Sequence, residues 1–196
     1  MDYAEISIRI TLPDDVNAVL TKEKDRFVSE YGSTLRSAPH ITLYLARYTE
    51  DGFPKLMADL KELTLESTSF LLLELKVTEG TYNNSYVVDV SNYEQLTELH
   101  NKVSEVASRY QSPLLREKDQ KRLEKGIPLE VGPYIPHISL GNIPIDDPQP
   151  KLEEVQENIK SIVGKHIDVS SMTVFFYGRK KGEEKITIVE EVKIDF

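Results

Sequence analysis

The chain writes Pro39-His40-Ile41-Thr42-Leu43 and, 97 residues later, Pro136-His137-Ile138-Ser139-Leu140. Two pentapeptides this alike, in a chain with only four histidines, constrain its architecture more than any bulk property does. Other landmarks keep nearly the same interval. Gly80 and Gly178 lie 98 apart, and the stretches SYVVDV and KITIVE begin 100 apart, at Ser85 and Lys185. Little outside the pentapeptides is identical, so the repeat is one of topology: after one leading strand, the order helix, motif strand, helix, strand, strand occurs twice.

Periodicity supplies those elements. YAEISIRITL, from Tyr3, alternates polar and apolar residues as a half-buried strand does. Pro13-Asp14-Asp15 opens a helix that Gly32 stops. Residues 53–63 and 93–110 carry helical apolar spacing, the latter through Leu96, Leu99, Val103, Val106 and Tyr110. FLLLELKVTEG and SYVVDVS read as strands joined by a turn, and residues 150–164 as a helix with Pro first and Gly last. IDVSSMTVFFYG and KITIVEEVKI read as the two closing strands. Residues 111–134 are less regular. The mixed-charge part, 116–126, reads as a solvated loop or short exposed helix, and a lid over a substrate, formed by the 111–134 segment, is the functional alternative. The expected fold is α+β: one domain, 1–196, of two related lobes about a pseudo-twofold, each with a mostly antiparallel sheet.

In a strand, residues i and i+2 share a face. His40 and Thr42 therefore stand together, as do His137 and Ser139, while Ile41, Leu43, Ile138 and Leu140 anchor the other side. Brought together across a cleft, the four suit phosphodiester cleavage. One neutral imidazole removes a proton from the attacking oxygen, one protonated imidazole supplies the leaving oxygen, and the hydroxyls donate to the phosphoryl oxygens. This scheme requires no metal. A metal site built on His40 and His137 would want carboxylates beside them, where the motif places hydroxyls. A second alternative is a binding module that holds a phosphorylated ligand in the same groove without turnover. His100 and His166 lack a companion motif and read as ordinary boundary or surface residues.

Composition narrows the rest. The absence of cysteine excludes disulfides and thiolate chemistry. A net charge of −9 disfavours long nucleic acid while leaving room for a small anion in a locally positive pocket. No apolar run approaches the roughly 18 residues of a membrane span, and the N-terminus lacks the pattern of a signal peptide; a cytoplasmic, monomeric protein is expected.

The paired His-x-Thr and His-x-Ser motifs in two halves of a cysteine-free chain resemble the two-histidine (2H) phosphoesterase superfamily, which includes cyclic phosphodiesterases and 2′-5′ RNA ligase-like proteins. The resemblance implies a bilobal fold whose sheets line a central groove with helices outside. It also implies metal-independent, cofactor-free chemistry on a small nucleotide or RNA end. It carries over to His40, Thr42, His137 and Ser139 as catalytic residues. Many members place a cation or aromatic residue just after the motif. Here the expected same-face continuation is Tyr44 in the first and Gly141, then Asn142, in the second. Tyr44, Tyr134 and Asn142 are the candidate substrate contacts, and Arg179, Lys180 and Lys181 a candidate source of the missing charge or simply an exposed basic turn.

Overall fold

Ile6, Ile8 and Ile10 of β1 (Tyr3–Thr11) are buried, and the opposite face of the strand carries Glu5, Ser7, Arg9 and Thr11. The computed structural model describes residues 3–35, 37–49, 51–80, 82–124, 133–179 and 185–196. After Pro13, Asp14 and Asp15 open α1 (Asp14–Tyr31), where the positive end of the helix dipole favours them. Gly32 closes it at φ +67° with its N–H on Phe27 O, a conformation that strains any side chain. There follow β2 (His40–Arg47), α2 (Gly52–Glu62), β3 (Thr68–Glu79), β4 (Asn83–Val90) and α3 (Tyr93–Ser108). The second half adds α4 (Glu117–Glu124), β5 (His137–Pro144), α5 (Leu152–Ile159), β6 (His166–Val169), β7 (Ser171–Arg179) and β8 (Thr187–Asp195). The mixed-charge segment thus forms the short helix α4; its residues 125 and 126 lie outside the described residues.

The strands form one antiparallel sheet in the order β6-β3-β4-β5-β2-β1-β7-β8. Its two halves, β6-β3-β4-β5 and β2-β1-β7-β8, meet at the motif strands, where Ile41 opposite Ile138 is the one rung among the described residues. The sheet also re-sorts the expected repeat. β4 flanks β5 as β1 flanks β2, so the positional counterpart of SYVVDV is the leading strand, and β8, containing most of KITIVE, lies at the outer edge. The expected single strand IDVSSMTVFFYG divides into β6 and β7, which sit in opposite halves of the sheet. Its buried set changes parity, from Ile167 and Val169 to Met172, Val174 and Phe176. A continuous strand cannot bury both sets on one face.

Helices α1, α2, α3 and α5 cover the apolar face of the sheet, whereas α4 brings Lys118 to the groove. α1 packs on β5 and α3 on β2, so the helix of each half supports the motif strand of the other. Val16, Leu20 and Phe27 of α1, and Leu96 and Val103 of α3, join the strand isoleucines, leucines and valines in one apolar core. Each such side chain contributes about 1.5–3 kcal/mol by leaving water. No helix among the described residues is long and apolar enough to cross a membrane.

Candidate active site

The rung between Ile41 and Ile138 organises the site. Both isoleucines are fully buried, so their sequence neighbours project to the other face of the sheet. Antiparallel pairing then sets His40 across from Ser139 and Thr42 across from His137. The two histidine–hydroxyl pairs surround the seam, and all four residues line one groove of about 690 Å³.

The repeated proline has a local role. His40 Nδ1 donates to Ala38 O at 2.6 Å, and His137 Nδ1 donates to Ile135 O at 2.8 Å. Each acceptor belongs to the residue before the proline, which the pyrrolidine ring biases away from helical conformation. A carbonyl has no proton to offer, so Nδ1 carries the hydrogen and Nε2 is left for chemistry on both rings. His40 Nε2 lies 3.1 Å from Thr42 Oγ1. Burial, assisted by the charge of Arg9 and, more weakly, of Lys24 and His137, pushes His40 down to about 4.

A β-bulge follows each motif at the same point. Arg9 pairs with Thr42 but Ile8 with Tyr44, leaving Leu43 over; Val87 pairs with Ser139 but Tyr86 with Gly141, leaving Leu140 over. The bulge corrects the expected continuation of the second motif. Gly141 turns to the core beside Phe27, where an added Cβ would stand 2.2 Å from the ring. Asn142 takes the next position, opposite Ser85, with its backbone N–H on Ser33 Oγ; it does not line the groove. Tyr44 lines the groove while packing against the core, and its hydroxyl donates to Gln111. Tyr134 also lines it, with its hydroxyl buried and without a hydrogen-bond partner among the described residues.

Several groove residues are not those expected. His100, read as a boundary residue, stacks on Tyr134 at 3.9 Å and 1°, and its Nδ1 donates to Leu43 O at 2.6 Å. His166 keeps its expected place at the surface, beside Asp168. Among the described residues lining the groove, the cations are Arg9, Lys24 and Lys118, and none is a carboxylate. Arg9 Nε donates to Ser7 Oγ at 2.7 Å and its Nη2 to Tyr177 Oη at 2.8 Å, with the guanidinium 4.7 Å above the Phe175 ring. Lys24 is 4% exposed, and burial pushes its ammonium down to about 8. Arg179 pairs instead with Glu117, and Lys180 and Lys181 lie outside the described residues. No cluster of three or more metal-ligating side chains occurs among the described residues; the histidines' neighbours are hydroxyls and cations, a set unsuited to a metal ion.

Comparison with known proteins bears on the family and the fold. The sequence model of the 2′-5′ RNA ligase superfamily matches residues 18–179. No curated protein matches the chain. Among solved structures, E. coli LigT complexed with 3′-AMP aligns over 98% of both chains at 13% identity and TM-score 0.60. TT0787 of Thermus thermophilus aligns over 97% of both at 17% identity and TM-score 0.59. Kluyveromyces marxianus Usb1 aligns over 99% of this chain and 98% of its own at 10% identity and TM-score 0.51.

Proposed function

Because the chain belongs to the 2′-5′ RNA ligase superfamily, a branch of the two-histidine phosphoesterases, we propose that its groove cleaves a phosphodiester or cyclic phosphodiester of a small nucleotide or RNA end. The observation that carries this reading is the convergence of two imidazoles and two hydroxyls around one rung, in a groove that presents cations and no carboxylate among its described residues.

His40 is the side held neutral, and its Nε2 takes the proton of the attacking water or hydroxyl. The new P–O bond forms as the old one breaks, and His137 delivers a proton from Nε2 to the departing oxygen. In the free protein the Thr42 hydroxyl faces His40 Nε2. With substrate bound, Thr42 and Ser139 donate to the non-bridging oxygens as charge grows on them. In the reverse direction the imidazoles exchange roles. No step passes through a metal. Both motif strands come from one chain, so a monomer carries the whole site, and the groove is suited to short ligands rather than to long nucleic acid.

The test is a panel of nucleoside 2′,3′-cyclic phosphates, 2′-5′-linked dinucleotides and ADP-ribose cyclic phosphate, incubated with EDTA and scored for product regiochemistry. Turnover of one class with a single regiochemistry supports the mechanism. Tight binding of these compounds without turnover identifies a binding module instead.

A further inference from the structure

Lys24 occupies a position where an apolar side chain would be expected. On α1 it shares the buried stripe of Val16, Leu20 and Phe27. It is 4% exposed, faces the groove, and makes no hydrogen bond or ion pair with the described residues. Its sequence neighbour Asp25 acts on it only through space. A buried ammonium without a partner costs several kcal/mol. The fold carries that cost in the unliganded state, and a bound anion would relieve it.

Arg9 is fixed before any ligand arrives. Of its five N–H donors, one is held by Ser7 and one by Tyr177, and the plane rests on Phe175. Glu5 and Glu191 act on it at longer range. The remaining donors form an open edge suited to the planar, bidentate recognition of a phosphate. Its direction is equally informative. The Arg9 backbone lies opposite Thr42, yet Ser7, Phe175 and Tyr177 draw the guanidinium along β1 away from the seam. Ser7 is two residues from Arg9, about 6.6 Å along a strand, an interval close to that between neighbouring phosphates of a nucleotide chain. A phosphorus held between Thr42 and Ser139 leaves that edge free.

We propose that Arg9 and Lys24 form a second anion subsite, which takes a phosphoryl group one nucleotide step from the reacting phosphorus. The preferred substrate then carries at least two phosphates, as a phosphorylated nucleotide or an RNA end does, and an isolated nucleoside cyclic phosphate is a poorer one. This rests on the phosphodiesterase reading for the identity of the first site, but its test does not depend on turnover.

The experiment is calorimetric binding of 3′-AMP and of adenosine 3′,5′-bisphosphate to the whole chain and to its Arg9→Gln and Lys24→Met variants. The bisphosphate is expected to bind at least ~10-fold more tightly, and each variant to bring that ratio towards one. Thermal melts report folding, and Lys24→Met is expected to melt higher than the wild type because the unpaired charge is gone. Equal affinity of the wild type for the two ligands overturns the proposal, as does failure to bind either. Variants that weaken both ligands by the same factor also overturn it, because the cations would then hold the first phosphate. A bisphosphate preference that persists in a protein cleaving no diester leaves the subsite standing and removes the phosphodiesterase reading.

Discussion

Ile41 pairs with Ile138 across the seam of the sheet, and the four polar residues of the motifs are the sequence neighbours of that pair. Their approach is thus a property of backbone pairing rather than of long side chains reaching across space. His40→Ala and His137→Ala are each expected to lower kcat at least ~100-fold in steady-state assays on the substrate that the panel identifies. Full activity in either variant rules out the two-imidazole mechanism.

The acidic limb of the activity profile is expected well below the ordinary histidine value of about 6.5. A general base must be neutral, and burial followed by the Arg9 charge brings His40 to about 4. Activity therefore persists on acidification until the pH nears that value. Lys24→Met removes one of the depressing charges and moves the limb of kcat/KM towards neutrality. A wild-type limb near 6.5 contradicts the assignment of His40 as base.

The same ring links stability to pH. Between about 4 and the ordinary 6.5, the unfolded chain binds a proton at His40 that the folded chain does not. Stability is complete above 6.5 and is lost as pH falls towards 4, by up to roughly 3 kcal/mol. His40→Gln abolishes this contribution, so urea melts at pH 4.5 and pH 7 should differ less in the variant than in the wild type.

Gly141→Ala is expected to destabilise the chain by about 1–3 kcal/mol, since the new methyl meets the Phe27 ring in a packed core. Phe27→Leu costs stability alone but should recover part of the loss in the double variant. A double-mutant cycle by chemical denaturation measures that coupling, and strict additivity would place the strain elsewhere.

Tyr134→Phe is expected to keep or raise the melting temperature, because the hydroxyl it removes is buried and has no hydrogen-bond partner among the described residues. His100→Ala removes the stacking partner and should lower the melting temperature of both the wild type and the Tyr134→Phe background. A large loss of stability in Tyr134→Phe would mean that the hydroxyl has a partner in solution.

Much of this site is legible in the sequence because strand geometry is local: His-x-Thr and His-x-Ser announce a shared face at a spacing of two. The two motif strands are also legible, as is the helix between Pro13 and Gly32, but not the grouping of strands, since each half of the sheet draws on both parts of the chain. Nor is the charge of the groove. Glu5, Ser7, Arg9 and Thr11 read as the polar side of a half-buried strand, and nothing local says that this side is the groove. Lys24 leaves a trace, a charged residue within an apolar stripe, but its target lies on other elements. His100 is placed by Tyr134, whose contact arises only when α3 folds onto β2. The division of β6 from β7 is written in the parity change between Val169 and Met172. The matching intervals between the last strands of the two halves masked it.

The strand order has a final consequence for how such a chain can be cut. β3 is encoded in the first half yet completes the sheet beside β4 and β5, whereas β7, from the second half, closes the other side of β1. A fragment ending before β5 would leave β1 bare along one flank and β4 along another, and the remainder would hold β7 paired with β8 but without β1. Two such pieces are expected to regain a native spectrum only when mixed, each serving as the template on which the other orders.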